Sequence, residues 1–277
     1  MWLLAALITA VCFGINNTIF KWSTSRGFSK VNIQFFFYFT AFLLILGAGV
    51  VSHTLHPNLT SLLLGGLIGV LNANGNIQMA KAFEKGPASL TSPLIAANAI
   101  FPVLAAGVIF HEQIPFLHWI GILCMMGSAM VIQYTPGAKS NTDYLPWLGR
   151  VAFAFLSFGI LGILMKQSSH LHMSSMDMLL AMYGAGSLYL AVLGLGRESI
   201  QPREVKIGSL VGILSVAGFS CYFYALQTGI ASIVFPVVSL NCLVVIIMGC
   251  YMFKEKLRPY QVYGICTALL GLVLTKI

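Results

Sequence analysis

Four amides fall within seven residues in the run Leu71-Asn72-Ala73-Asn74-Gly75-Asn76-Ile77-Gln78. Side chains of this type suit an uncharged polar solute, or hydrogen bonds between neighbouring helices. On a helix, Asn72 and Asn76 share one face with Gly65 and Gly69, while Asn74 and Gln78 take the opposite side. A second pattern occurs twice, as Pro93 with Asn98 and as Pro236 with Asn241. Proline deprives the carbonyl one turn earlier of its donor. Each pair therefore predicts a bent or interrupted helix, serving either as a purely structural kink or as a gate beside a binding site. Glu112 in Phe-His-Glu-Gln-Ile-Pro and Glu255 in Phe-Lys-Glu-Lys-Leu-Arg-Pro form a third pair. Their carboxylates are expected to favour the N-terminus of the next helix, with gating as the alternative. Lys21 and Lys166 close equivalent apolar segments, as snorkelling anchors or as partners for an anionic solute group.

The elements that must hold these residues are set by composition. Of the 277 residues, 58% are hydrophobic and 8% are charged, too few for a soluble domain of this length to cover its surface. Lipid is the implied solvent. Apolar runs between polar or Pro/Gly punctuation predict ten helical spans, at 2–20, 31–52, 60–80, 88–110, 115–134, 147–165, 174–195, 206–226, 230–253 and 259–276. Helices satisfy every backbone group within themselves, and the alternation of a barrel strand is absent. Met1 to Phe20 lack a basic leader and cleavage pattern, and are expected to be a retained span.

Self-comparison makes the chain a duplication. An offset of 143 pairs Gly65 with Gly208, Gly69 with Gly212, Gly75 with Gly218, Pro93 with Pro236, Asn98 with Asn241 and Glu112 with Glu255. An offset of 145 pairs Phe13 with Phe158, Gly14 with Gly159 and Lys21 with Lys166. The expected units are 1–138 and 139–277. Five spans is an odd number, so the second unit should enter the membrane inverted. Equivalent loops of the two units differ in charge in the expected way. Thirteen of the fifteen basic residues collect on one face, with Lys166 and Lys276 on the other. By the tendency of cytoplasmic loops to hold Lys and Arg, both termini lie outside.

No acidic or basic residue falls near the middle of any predicted span, so the interior should be neutral and polar. It would favour neutral or zwitterionic solutes over polyanions. The basic residues read as topology signals, with no nucleic-acid partner implied. The six cysteines sit singly within apolar stretches and are read as packing residues, with no metal site expected. Hydrolase, metalloprotease and nucleotide-binding motifs are absent, which argues against an enzyme.

The two copies of Gly-x-Ala-Ser, Pro, Asn, Phe-x-Glu-x-[Ile/Leu] and Gly, spread over ten spans, resemble the EamA-type transporters of the drug/metabolite transporter superfamily along essentially the whole chain. That resemblance implies a central cavity formed by the third, fourth, eighth and ninth spans, with the first, second, sixth and seventh rocking around it. It makes Asn72, Asn76, Gln78, Asn98, Tyr222, Ser239 and Asn241 candidate solute-binding residues, with Asn16, Asn17, Gln34 and Tyr38 behind them. Family members are generally described with cytoplasmic termini, opposite to the charge pattern here. The four-span multidrug relatives use a first-helix glutamate where this chain has Gly14-Ile15-Asn16-Asn17. The expectation is a multi-pass carrier in the cytoplasmic membrane, needing no cofactor and moving an amino-acid-like metabolite by alternating access. A multidrug or sugar-type carrier and a non-transporting membrane scaffold or sensor are the alternatives.

Overall fold

The computed structural model describes residues 1–85, 91, 94–134, 144–194, 199–253 and 258–275, without the side chains of Thr24, Ser25, Gln133, Met252 and Phe253. Pro93 and Glu255 lie outside the described residues. The fold is all-α. Its helices are α1 (Trp2–Ser25), α2 (Lys30–Val51), α3 (Leu59–Lys85), a 3-10 turn (Ala97–Ala99) leading into α4 (Ile100–Val108), α5 (Phe116–Gln133), α6 (Tyr144–His170), α7 (Ser175–Gly194), α8 (Pro202–Thr228), α9 (Ala231–Ser239), α10 (Asn241–Phe253) and α11 (Pro259–Leu274). Grouped by span they make ten, because α9 and α10 are consecutive pieces of one apolar segment and 94–108 is another.

Among the described residues, six helical segments are long and apolar enough to cross a bilayer. At 27 residues α3 matches them in length, but its amides and its charged C-terminal turn lower its hydropathy. Leu63, Val108, Leu188, Val192 and Ile247 are among the large apolar side chains left facing outward. Such a surface is the one lipid tails would wet.

The main packing partners cross between the two sequence halves. Helix α3 packs on α6 and α7, α2 on α7 and α8, α1 on α8 and α10, and α5 on α11. Glycines allow these approaches. A Cβ at Gly65 would lie 2.7 Å from the Ala181 Cβ, and one at Gly69 would strike the Met182 carbonyl. Their counterparts Gly208 and Gly212 would meet the carbonyls of Ile33 and Phe37 at 2.6 and 2.8 Å. Small residues that let backbones touch are the usual currency of helix association in lipid, where apolar burial gives no advantage.

Polar contacts define the two ends of the bundle. At one end, Lys30 pairs with Glu84 at 2.9 Å. There the buried Glu204 accepts from the Ser29 backbone N–H at 2.7 Å and from Asn32 Nδ2 at 3.0 Å. At the other end, the His56 N–H donates to Asp177 at 3.1 Å, the Ser169 hydroxyl to the Leu226 carbonyl at 2.8 Å, and Gln227 to the Met173 carbonyl at 2.9 Å. Arg26, Lys81, Lys85, Arg150, Arg203 and Lys206 lie along the chain at or near the first, basic end.

Candidate functional site

Between the ends lies a cavity of about 270 Å³ reached by helices of both halves. From the first half come Asn16 and Asn17 of α1, Asn72 and Asn76 of α3, and Asn98 of the 3-10 turn; from the second come Ser215 and Tyr222 of α8, Ser239 of α9 and Asn241 of α10. None of the described lining residues is charged.

The amides are held loosely toward one another. Asn17 Nδ2 donates to Asn241 Oδ1 across the halves at 3.4 Å, and Asn76 Nδ2 to Asn72 Oδ1 along α3 at 3.4 Å. Both distances are beyond the usual N–H···O range, so each bond is weak. Asn16 is 5% exposed and its Oδ1 has no hydrogen-bond partner. A buried acceptor in that state costs free energy that a ligand donor or a water would recover.

Asn98 and Asn241 show how the duplication builds a site. Each donates its side-chain Nδ2 to the carbonyl three residues earlier: Asn98 to Ile95 at 2.6 Å and Asn241 to Val238 at 2.9 Å. The reason is local. Pro236 sits inside α9 without an N–H, and the helix then steps at Leu240, whose N–H bonds to Val237. An asparagine just beyond supplies a donor that the interrupted backbone lacks.

One wall is aromatic. Phe13 and Phe219 approach to 4.7 Å between centroids, and Tyr222 stands edge-on to Phe13 and to Phe235, both at 6.0 Å. These rings are the part of the site that the amide pattern did not indicate. Tyr222 was implied by the family resemblance, and Phe13 was marked only by its pairing with Phe158, which also lines the cavity.

Not every expected residue reaches the cavity. Gln78 is turned to the other side of α3, where its carbonyl accepts from Arg150 Nη1 at 2.7 Å and its Nε2 donates to Asn74 at 3.1 Å. Asn74 in turn bonds Ser157 and Tyr189. This follows from the helical spacing itself, since residue 78 shares its face with 74 and not with 72 or 76. Gln34 and Tyr38 are buried in helix packing, with Tyr38 against Gly186 and 6.0 Å from the Tyr183 ring. Lys21 is exposed at the end of α1.

Glu112 does not meet the next helix, as its position before α5 suggested. Its Oε1 accepts from the Ala231 N–H at 3.1 Å and its Oε2 from the Ser232 N–H at 3.0 Å, capping α9 of the other half. Lys166 Nζ pairs with Oε1 at 2.8 Å and lies 5.8 Å from the Phe110 ring centroid. Lys166 is thus bound into an ion pair rather than only anchored at the membrane surface. Burial by itself pushes the Glu112 carboxyl up. The Lys166 hydrogen bond and charge, with the Ser232 and Ala231 N–H groups, outweigh it, so the group ends below the usual carboxylate value. This clasp and the Ser169 to Leu226 bond lie one turn beyond Phe235 and Tyr222, between the cavity and the end away from the basic residues.

A solved structure described only as a crystal structure of a protein superposes with a TM-score of 0.80 at 11% identity, covering 99% of this chain and 98% of that one. At that identity the likeness concerns the fold alone. No curated protein matches the sequence. The family model described as the EamA-like transporter family matches residues 1–134 and again 146–277. With nearly the whole chain matched in two copies, the protein belongs to the EamA-like transporter family of the drug/metabolite transporter superfamily.

Proposed function

We propose that this chain is a secondary transporter that moves a small neutral or zwitterionic, amino-acid-like metabolite across the cytoplasmic membrane by alternating access. The observation that carries this reading is the uncharged cavity between the halves, with amides on one side and rings on the other. Amides replace the hydration of a polar solute, while the rings take its apolar part. A polyanion would find no cation in the described lining.

The units are 1–138 and 139–277, inverted relative to each other. Asn32 and Asp177, equivalent at the offset of 145, make their contacts at opposite ends of the bundle, which supports the inversion. With the basic end in the cytoplasm and both termini outside, the clasped end faces outward and this conformation is closed to the exterior. The solute site is Asn16, Asn17, Asn72, Asn76, Asn98, Tyr222, Ser239 and Asn241, with the step near Pro236 as a gate.

Purified protein in liposomes should exchange labelled neutral amino acids, and exchange should fall in Asn72→Ala. Absence of flux across a broad panel of small metabolites overturns the reading. The aromatic wall favours one second reading, a sugar-type or multidrug carrier. Competition for the cavity by sugars or aromatic cations, without competition by amino acids, would establish it.

A further inference from the structure

We infer that Glu112 is a proton-binding site whose occupancy decides whether the end of the bundle away from the basic residues opens. The site is outside the solute cavity and rests on the transport reading only for its purpose. Three pieces of the protein meet at its carboxylate. The segment after α4 brings Glu112, whose own N–H is tied to the Ala106 carbonyl at 3.0 Å. Helix α6 brings Lys166, and α9 brings the N–H groups of Ala231 and Ser232. The first piece belongs to one half and the other two to the other half. No separation of the halves at this end can keep all three donors on the carboxylate.

The consequence for the proton follows from what surrounds the group. Lys166 and His170 face this segment from α6, the His170 ring lying 5.5 Å from Phe110, and His111 is its neighbour in sequence. Neither α9 nor α4 carries an ionisable residue. In the clasped form one ammonium and two backbone donors hold the carboxylate ionised. Once the clasp opens, those three are withdrawn with α6 and α9, while the apolar side chains of Phe110 and Ile114, in the carboxylate's own segment, stay beside it. An isolated carboxylate in such a place takes a proton more readily than one in water. The proton therefore binds the open form better than the closed one, and by linkage acid shifts the population toward opening. Opening begins as pH falls below the open form's value, and the clasp is intact above it.

Hydrogen–deuterium exchange of the full-length protein in lipid nanodiscs tests this without any solute. The readout is protection of peptides covering Phe110–Phe116 and Gly229–Phe235 between about pH 7.5 and about pH 4.5, corrected for the intrinsic exchange rate. In the unaltered protein the Ala231 and Ser232 amides should be protected at neutral pH and exchange about tenfold faster at the acid limit. Glu112→Gln should exchange fast at every pH, Glu112→Asp should keep the pH response, and Lys166→Met should move the response to higher pH. Protection in the unaltered protein that does not change with pH overturns the inference. So does a pH response that Glu112→Gln shares. Failure to find a transported solute leaves this result standing, so the two readings fail separately.

Discussion

Lys166 Nζ and Glu112 Oε1 meet at 2.8 Å with side chains only 12% and 15% exposed, joining the end of α6 to the segment that follows α4. Removing one member of a pair this buried leaves a charge without its counter-ion, which typically costs about 3–5 kcal/mol, whereas removing both costs less. Lys166→Met and Glu112→Gln singly should each lower the thermal midpoint more than an additive account of the double variant allows. The expected coupling is about 1–3 kcal/mol, read from a double-mutant cycle of detergent-solubilised protein. The sign with pH is fixed by the lowered carboxyl. Its stabilisation is present above the ordinary value of 4.5 and is lost as pH falls through the lower folded value.

Gly69 has no room for a side chain. Gly69→Val should lower stability by about 2 kcal/mol or more, because the α3 and α7 backbones would have to separate. Gly127 in α5 has nothing near its missing Cβ. Gly127→Ala should be neutral or stabilising by about 0.5–1 kcal/mol. Midpoints from thermal unfolding in one detergent check both.

Asn17 and Asn241 meet through a long, weak bond that contributes little to folding. Asn17→Leu, which removes only that bond, should therefore shift the thermal midpoint little while reducing solute flux in proteoliposomes by about tenfold or more, whereas Asn241→Leu should lose flux and also some stability, since Asn241 Nδ2 serves the Val238 carbonyl. A loss of flux matched by a loss of folded protein would instead assign these amides to structure.

Glu204 is 1% exposed and accepts from Ser29 N–H, Asn32 Nδ2 and Gln201 N–H. It caps its own helix and ties α8 to α2. Glu204→Ala should cost about 2–4 kcal/mol by leaving buried donors unpaired, and Glu204→Gln should recover part of this. Chemical or thermal unfolding followed by circular dichroism reads the difference.

The helices were legible because an apolar run of bilayer length has few other solutions, and their boundaries shift mainly where polar residues extend them. Helix α3 runs to Lys85 rather than ending near 80, and α6 runs from Tyr144 to His170. Partners were less legible. The duplication showed that Glu112 and Lys166 recur, but nothing in their spacing tied them to each other or to Ala231. The residues after Glu112 do not become helical until α5, whose N-cap is Pro115, and this leaves the carboxylate free to reach across to α9. Gln78 was misplaced for a related reason. The family resemblance grouped it with Asn72 and Asn76 although helical spacing sets it on the side of Asn74, and the partners Arg150, Ser157 and Tyr189 show that this side serves packing between helices. The rings of Phe219 and Phe235 carry no polar signature to distinguish a cavity wall from a core.

Because α1, α2 and α3 find their main neighbours after residue 144, a ribosome that has completed only the first five spans has inserted a set of helices with unfilled seams. The notches at Gly65 and Gly69 and the amides of α3 then face acyl chains until the remaining spans arrive. During that interval the nascent chain depends on the insertion machinery to shield it, and a truncated product should be recognised and degraded rather than persist. The same interlocking means that a single ancestral copy would have needed a second copy to complete it.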